Sequence, residues 1–177
     1  MNEGLQQNGD LNGYVTQLLE DYGEEIKRML YSYVKDWQLT EDLTQEVFIT
    51  AFLKMDTFEG KSNVKTWLYK IAINKAKDYL RSWSYRKSVI TNQFSQQSSK
   101  NNTAEAEILL RENEKEIISE VFKLPIKYRE IILLYYYKEF SINEISTITN
   151  LNSSTVRTRL SRGRKLLEQK LGGFLNG

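Results

Sequence analysis

The sequence predicts an all-α protein made of two small helical domains joined by a flexible polar linker. Apolar residues recur at helical spacing in several stretches, and no stretch shows the sustained alternation that is typical of a half-buried strand. A tract rich in Gln, Ser and Asn at 91–103 interrupts this pattern and carries too little apolar surface to order itself. The length of 177 residues is enough for two small domains. We therefore expect domains at 10–88 and 105–172, with the linker at 89–104.

The first domain begins with two amphipathic helices. Apolar residues at helical intervals predict a first helix over 13–37, and they are Val15, Leu18, Leu19, Tyr22, Ile26, Met29, Leu30, Tyr33, Val34 and Trp37. Thr40 can cap the second helix, and Glu41 and Asp42 are favourably placed in its first turn. The core side of the second helix is expected to consist of Leu43, Val47, Phe48, Ala51, Phe52 and Met55.

A third helix follows the turn at 59–62 and is predicted to extend to about Arg81. Its inward residues are expected to be Val64, Leu68, Ile71, Ala72 and Tyr79. Steps of three and four residues place another set of side chains on one exposed side of this helix. This exposed stripe consists of Trp67, Lys70, Asn74, Lys77 and Arg81.

The exposed stripe has the chemistry that binds single-stranded DNA. Cations pair with phosphates, an aromatic ring stacks on an unpaired base, and an amide bonds to a base edge. Two structural alternatives remain open at this point. Trp67 can serve as a core residue packed against Tyr33 or Trp37, and Asn74 can be an ordinary solvated side chain.

The second domain contains the only proline of the chain, Pro125. It separates a predicted helix at Ile117–Leu124 from another at about Tyr128–Tyr137, because proline ends one helix and suits the first turn of the next. We expect the run Tyr135–Tyr137 to lie in the core of this domain. Ser141 and Glu144 form a capping-box pattern, which predicts the start of a short helix. The apolar side of this helix is Ile142, Ile145 and Ile148.

A turn at 150–152 leads into the last helix, which Ser153 or Ser154 is expected to cap. Val156, Leu160 and Leu167 face inward there, while the outward side carries Ser154, Arg157, Thr158, Ser161, Arg162 and Lys165. Two helices with such a turn form a helix-turn-helix, whose second helix enters the major groove of DNA. Residues 151–170 hold six Lys/Arg and one acid, which favours DNA binding over a basic hairpin that merely solubilises a bundle.

The distribution of charge is more informative than the net charge of +2. Residues 1–60 carry four Lys/Arg against twelve Asp/Glu, and 61–90 carry eight against one. Residues 91–124 carry four against six, and 125–177 carry nine against four. The basic segments indicate two surfaces for nucleic acid, and the acidic helix upstream repels DNA, so it is expected to face another protein.

Composition excludes several classes of site. Cysteine and histidine are absent, which removes disulfides, thiol nucleophiles, zinc sites and histidine general bases. Asp42 and Glu46 could suggest metal-binding carboxylates of a nuclease, but the pattern assigns no third ligand to them, and a helix cap is another reason for an acid at Asp42. The N-terminus is polar and the apolar runs are too short to span a bilayer. We expect a soluble cytoplasmic protein without metal or cofactor.

Two blocks of the sequence together resemble the extracytoplasmic-function (ECF) sigma factors of bacterial RNA polymerase. TEDLTQEVF at 40–48 is similar to the segment that docks on the clamp helices of the β′ subunit. TFEGKSNVKTWLYKIAINKAKDYLR at 57–81 is similar to the segment that melts and reads the −10 element. LPIKYREIILLYYYKEFSINEISTITNLNSSTVRTRLSRGRKLL at 124–167 is similar to the domain that reads the −35 element. The resemblance covers about residues 14–171.

The resemblance implies a role for particular residues. The positions that dock on polymerase are Asp42, Gln45 and Glu46. Those that help to form the pocket for a flipped −10 base are Phe58, Trp67 and Asn74, and those facing the −35 groove are Arg157, Thr158, Ser161 and Arg162. Asn152 and Ser154 stand where the family usually has Pro and Gly, and Phe140 where leucine is common. Asn and Ser tolerate turn geometry, so the fold is expected to be kept.

By this resemblance the chain is a promoter-specificity subunit, not an enzyme, that acts in a stress or envelope response. The implied partners are core RNA polymerase, through its β′ clamp helices and β flap, promoter DNA, and an anti-sigma protein. Two alternatives from other classes remain. A stand-alone helix-turn-helix regulator would bind promoters tightly without polymerase, usually as a dimer. A nucleic-acid enzyme would require metal-dependent cleavage.

Overall fold

The computed structural model describes residues 3–58, 60, 63–91 and 112–171 of the chain. The chain divides into two compact units, residues 1–96 and 97–177. Within the described ranges the regular structure is entirely helical, as the sequence predicts. No helix in these ranges is long and apolar enough to span a membrane. Residues 92–104 of the predicted linker lie outside the described residues, and the predicted domain limits of 10–88 and 105–172 stay predictions.

The first unit packs three long helices against one another. They are α1 (Glu3–Val34), α2 (Trp37–Lys54) and α3 (Val64–Thr91), and a single 3₁₀ turn (Met55–Thr57) follows α2. The core between them is made of Leu18, Ile26, Leu30, Leu43, Val47, Phe48, Ala51, Leu68, Ala72, Ile73 and Ala76, all of which are buried. Most of the positions that helical spacing assigned to the core are therefore confirmed. Phe52, Met55, Val64, Ile71 and Tyr79 were also expected there but are only half-buried.

The junction of α1 and α2 corrects the predicted boundary. Helix α1 ends at Val34, Lys35 adopts a left-handed conformation with φ 54°, and Trp37 already belongs to α2. Asp36 caps α2, since its carboxylate accepts a hydrogen bond of 2.9 Å from the Leu39 amide. The expectation that Thr40 caps this helix is wrong: Thr40 is buried and its hydroxyl donates to the Asp36 carbonyl at 2.6 Å. Helix α2 begins four residues earlier than expected, so the side chain that reaches its first free amides is that of Asp36 and not that of Thr40.

A buried tyrosine ties α3 to α1. Tyr69 is completely buried, and its hydroxyl donates to the Glu25 carboxylate at 2.9 Å. Lys65 lies 3.5 Å from the same carboxylate. Burial, together with the negative charge of Glu25, raises the pKa of the Tyr69 hydroxyl far above its ordinary value, so it stays protonated and remains a donor. The contact joins α3 to α1 on the buried side of α3, together with the apolar side chains packed there.

The second unit contains four helices in the described range 112–171. They are α4 (Glu112–Lys123), α5 (Ile126–Ile132), α6 (Ile142–Thr149) and α7 (Ser153–Leu171). Pro125 precedes α5, as predicted. The core is made of Val121, Leu124, Ile131, Ile132, Leu134, Phe140, Ile145, Ile148, Val156 and Leu160. Helix α7 packs against α4, α5 and α6, which leaves one long side of α7 exposed.

Local chemistry places α6 and α7 in the predicted helix-turn-helix. The Ser141 hydroxyl and the Glu144 carboxylate cap α6 reciprocally, so the capping box is confirmed. Asn150 takes the left-handed conformation, with φ 56°, that ends α6. The cap of α7 is Asn152, whose side-chain oxygen accepts from the Thr155 amide at 2.7 Å. The expectation of a serine cap at 153 or 154 is therefore wrong by one or two residues.

The tyrosine run is not part of the core. Residues Leu133–Tyr137 form a single π-helical turn after α5, in which the Lys138 amide bonds to the Leu133 carbonyl at 3.1 Å. Ile131 to Leu134 fill the core. Tyr135, Tyr136 and Tyr137 are exposed by 37%, 49% and 38%, which contradicts the sequence-based expectation.

Helices α5 and α7 approach closely at Gly163, where a larger residue would require Ile132 to shift. A Cβ added at Gly163 would lie 3.0 Å from Cγ1 and 3.2 Å from Cδ1 of Ile132, which is itself buried. Gly→Ala in a helix usually stabilises by roughly 0.5–1 kcal/mol. Overpacking a core usually costs about 1–3 kcal/mol, so the steric effect should prevail. We expect Gly163→Ala to lower the free energy of unfolding by about 1 kcal/mol, measured by urea denaturation followed by circular dichroism.

A double-mutant cycle with Ile132→Ala isolates the steric contact. Removing Cγ1 and Cδ1 of Ile132 empties the space that the new methyl group would enter. Gly163→Ala should therefore be neutral or stabilising in the Ile132→Ala background. Equal destabilisation in both backgrounds would assign the cost to something other than this contact.

Candidate nucleic-acid and protein interfaces

The exposed stripe of α3 lies on one side of the helix, as its spacing predicts. Trp67, Lys70, Asn74 and Lys77 are half-buried and Arg81 is exposed. At about 100° per residue, the five positions fall within roughly 80° of the helix circumference. The alternative in which Trp67 packs against Tyr33 or Trp37 differs from the ring contacts observed. Trp37 stacks on Tyr31 with 4.3 Å between ring centroids, and Trp67 pairs with Phe58.

Trp67 pairs with Phe58, which comes from the loop before α3. The ring centroids are 5.0 Å apart and the planes are tilted by 40°. Asn63 holds the start of α3 in place, because its side-chain oxygen accepts from the Lys65 amide at 2.9 Å. Both aromatic residues remain half-exposed. The fold thus brings together two aromatic residues that the sequence separates by nine positions, and Trp67 lies on the stripe that also carries Asn74.

The cations of α3 divide into two groups. Lys65 and Lys75 form ion pairs with carboxylates of α1 and α2 and so contribute to packing. Lys70 forms no ion pair among the described residues, and Arg81 pairs only with Asp78 of its own helix at a fully exposed site. Exposed pairs of this kind contribute little, typically below about 1 kcal/mol. The stripe therefore keeps positive charge that is available to a polyanion.

The acidic side of α2 is exposed but partly neutralised within the unit. Asp42, Gln45 and Glu46 all lie at the surface, as predicted. The Glu46 carboxylate lies 3.1 Å from the ammonium of Lys75 on α3. Glu41 is similarly paired with Lys27 of α1 at 3.0 Å. Asp42 has no such partner among the described residues.

Two apolar residues on the same side of α2 were missed by the sequence analysis. Ile49 and Leu53 are exposed by 58% and 72%. They lie seven and eleven residues after Asp42, so helical geometry places them within about 20° of it. A signal was available, because both fall outside the core spacing of α2. Large apolar side chains beside polar ones indicate a surface that another protein covers.

The outward side of α7 is formed as predicted. Ser154, Arg157, Thr158, Ser161, Arg162 and Lys165 are all exposed. The hydroxyl of Thr158 donates to the Ser154 carbonyl at 2.9 Å, and that of Ser154 donates to the Asn152 side chain at 2.8 Å. The three cations of this surface form no ion pair among the described residues.

A buried ion pair beneath this surface was also missed. Glu130 of α5 is 2% exposed and its carboxylate lies 3.1 Å from the Arg159 guanidinium of α7. Burying a lone carboxylate is costly, so the pair holds α7 in one orientation on α5. Removing Arg159 alone would leave the Glu130 carboxylate buried without this cation. The sequence contains no local signal for this contact, because the two residues are 29 positions apart.

Within the described residues, no group of three or more acidic side chains is close enough to hold a metal ion. Asp42 and Glu46 thus lack a third carboxylate ligand among the side chains that the structure describes.

Comparison with known protein families matches both units. Residues 18–85 match the family described as Sigma-70 region 2, and residues 115–167 match Sigma-70, region 4. The first range includes α2, the Phe58–Trp67 pair and the stripe of α3. The second includes the helix-turn-helix and the outward side of α7 as far as Leu167.

Similar proteins extend the match over nearly the whole chain. The ECF RNA polymerase sigma factor SigW of Bacillus subtilis is 31% identical over 171 residues, covering 92% of this chain and 91% of SigW. The ECF RNA polymerase sigma factor SigX of the same organism is 33% identical over 160 residues, covering 88% and 82%.

A solved structure has the same fold. The sigma factor RpoE, in complex with the anti-sigma factor NepR from Bartonella quintana, matches with a TM-score of 0.71 and 23% identity, covering 89% of this chain and 96% of RpoE. Three observations point to the same family: the two family matches, the extent of the similarity to SigW and SigX, and the helix-turn-helix. The chain belongs to the ECF family of RNA polymerase sigma factors and is an alternative sigma factor that directs transcription initiation.

Proposed function

We propose that the two units divide the work of promoter recognition between them. The first unit docks on core RNA polymerase through α2 and holds the opened −10 strand with α3, and the second binds the −35 element through α7. The observation that carries this proposal is the separation of surfaces within the first unit. Asp42 and the exposed residues Ile49 and Leu53 lie on α2. Trp67 and Lys70 lie on α3, and Phe58 lies in the loop before it. One unit can therefore contact a protein and a nucleic acid at the same time.

The docking surface on α2 combines Asp42, Gln45 and Glu46 with Ile49 and Leu53. Polar residues around an apolar centre are typical of specific protein interfaces. The β′ clamp helices are the proposed partner, by the family resemblance of residues 40–48. Contact of the second unit with the β flap is proposed on the same ground.

The −10 surface on α3 holds DNA open without a nucleotide cofactor. Unpairing and unstacking one base costs a few kcal/mol. Stacking of an unpaired base on an aromatic ring contributes about 1–3 kcal/mol, and contacts of Lys70, Lys77 and Arg81 with phosphates add to it. Phe58 and Trp67 supply adjoining ring surfaces, and Asn74 supplies the amide that bonds to the base edge. Binding of the unpaired strand thus offsets the cost of opening, and the chain needs no catalytic group.

An anti-sigma protein is the proposed regulator. The structurally similar sigma factor RpoE has been solved in complex with the anti-sigma factor NepR. Such a partner would cover the α2 or α7 surfaces and release them in response to stress or damage to the envelope. The proposed location is the cytoplasm, where core polymerase and the chromosome are found.

Run-off transcription tests the proposed function. Purified core polymerase with this chain should produce discrete transcripts from a subset of genomic fragments, and core alone should not. A stand-alone regulator would instead bind promoter fragments tightly without polymerase and would not restore specific initiation to the core enzyme.

Docking should depend on the polar part of the α2 surface. Asp42→Lys together with Glu46→Lys should weaken binding of core polymerase about tenfold, which corresponds to roughly 1.4 kcal/mol. The reason is that both changes reverse charge at exposed positions one turn apart. Titration of labelled protein with core enzyme measures the affinity, and circular dichroism checks the helical content.

Two variants separate docking from folding. Glu46→Lys places an ammonium against Lys75, whereas Asp42→Lys disturbs no described ion pair, so Asp42→Lys alone should retain part of the effect. Glu24→Lys makes the same charge change at an exposed position of α1 and should bind core normally. Normal binding by a folded Asp42→Lys, Glu46→Lys protein would rule out this surface.

A further inference from the structure

A surface pocket of about 300 Å³ lies between α5 and α7 in the second unit. Three cations line it: Lys127 from α5, and Arg159 and Arg162 from α7. One carboxylate, that of Glu130, pairs with Arg159 at 3.1 Å. Lys127 and Arg162 form no ion pair among the described residues. The pocket therefore carries an excess of positive charge, which favours an anion.

The side chains of the pocket are held in place by the fold. The buried carboxylate of Glu130 fixes the guanidinium of Arg159, which retains further N–H donors. The ammonium of Lys127 lies 5.0 Å from the ring centroid of Tyr128, a cation–π contact that keeps the lysine near the pocket. Two of the three cations are thus positioned before any ligand binds.

Hydroxyl groups of the pocket complete a set of donors. The hydroxyls of Tyr128 and Thr155 form no hydrogen bond among the described residues, so both can donate to an oxyanion. Those of Ser154 and Thr158 already donate within α7. Two free hydroxyls beside three cations match the several acceptor oxygens of a phosphate group.

We propose that this pocket binds one backbone phosphate of the DNA duplex whose major groove receives α7. The inference rests on the proposed −35 function and adds Lys127, Tyr128 and Arg159 to the DNA-binding residues. The pocket shares Thr158 and Arg162 with the outward side of α7, so a duplex on that side passes over the pocket. Arg157 lies about 140° from Arg162 around the helix. The pocket therefore marks the edge of the helix where the sugar-phosphate backbone runs.

The test is a cycle between one side chain and one phosphate. Each promoter duplex carries a fluorescent label and one neutral methylphosphonate in place of a backbone phosphate. The position of the methylphosphonate is moved step by step across the −35 element of a promoter that run-off transcription has identified. The full-length chain assembled with core polymerase is titrated with each duplex at several salt concentrations. Wild type should bind more weakly to the duplex whose methylphosphonate replaces the phosphate that occupies the pocket.

Lys127→Ala should lower the magnitude of the salt slope by up to about one and become less sensitive than wild type to the methylphosphonate at that same position, because Arg159 and Arg162 remain in the pocket. Lys127→Arg should behave like wild type, because it keeps the charge. Lys123→Ala removes one cation from the same unit, where Lys123 pairs with Glu120 at 2.6 Å, and should leave the slope and the scan unchanged. Tyr128→Phe keeps the ring and should reduce, without abolishing, the effect of the methylphosphonate.

Three outcomes would overturn the proposal. The first is a wild-type salt slope for Lys127→Ala. The second is a Lys127→Ala protein that is as sensitive as wild type to the methylphosphonate at every backbone position. The third is a chain that binds inorganic phosphate in the absence of DNA but shows no coupling between Lys127 and any DNA phosphate. If Arg157→Ala loses promoter affinity while Lys127→Ala does not, the −35 function survives and the pocket alone is wrong. If wild type binds all −35 sequences equally well, the proposed −35 function is wrong. The methylphosphonate scan would still show whether the pocket binds a backbone phosphate.

Discussion

Replacing Trp67 by alanine should reduce promoter opening by roughly ten- to a hundredfold while leaving the −35 contact intact. The physical reason is the loss of base stacking, which contributes about 1–3 kcal/mol per base. Trp67 is half-buried and packs on Phe58 at 5.0 Å, so its ring offers one side to a base and the other to the loop before α3. Permanganate reactivity of thymines near the start site measures the opened fraction.

Asn74→Ala is expected to act in the same direction with a smaller effect, since it removes one hydrogen bond and little packing. The matched control is Trp83→Ala, the same change on the same helix about 160° away from Trp67. Trp83 is 45% exposed and lies outside the stripe. It should leave opening unchanged.

A promoter that is already unpaired at the −10 element separates opening from folding. Pre-melting removes the cost of unpairing, so it should restore part of the activity of Trp67→Ala. If pre-melting makes no difference, the defect arises from the packing of Phe58 and α3 and not from base capture. Binding of a −35 duplex by the same protein should remain normal in either case.

Arg157→Ala should cost about 1–3 kcal/mol on the cognate −35 element and flatten discrimination at one base position. Arg157 is exposed in the first turns of α7, where helix-turn-helix proteins contact base edges. Its guanidinium forms no ion pair among the described residues and can bond to a base. Fluorescence anisotropy on a panel of −35 duplexes with single substitutions, at several salt concentrations, measures both affinity and discrimination.

Lys165→Ala provides the contrast to this variant. Lys165 lies two turns further along α7 and is expected to meet phosphate. Its removal should weaken all sequences about equally and lower the magnitude of the salt slope by about one. Uniform weakening by Arg157→Ala would show that Arg157 also contacts phosphate and that another residue reads the base.

The site could be predicted where one helix contains the whole pattern. The stripe of α3 and the outward side of α7 depend only on steps of three and four residues, so the exposure of Arg157, Arg162 and Lys165 followed from spacing. The capping box of Ser141 and Glu144 was predictable for the same reason, because its partners are three residues apart. Their binding roles stay predictions that the variants above test.

Contacts between helices could not be predicted in this way. The ion pair of Glu46 with Lys75 and that of Glu130 with Arg159 each join residues 29 positions apart. The pocket beside Lys127 depends on the same packing of α5 on α7, which Gly163 permits by lacking a Cβ. Spacing within one helix contains no information about the side chains of another.

Two predictions were wrong because packing, and not local preference, chose between alternatives that the sequence allows. Thr40 and Asp36 are both good capping residues, and the choice between them depends on where α1 ends, at the left-handed Lys35. Tyr135–Tyr137 have the apolar character of a core segment, but the preceding residues fill the core and the π-helical turn directs the tyrosines outward. By itself the sequence determined the helical class, the two units and the exposed side of α7, because these depend on periodicity and composition. Only the tertiary structure decided the helix ends, the ion pairs, the contact of Phe58 with Trp67 and the basic pocket beside Lys127, because competing local preferences are resolved by packing.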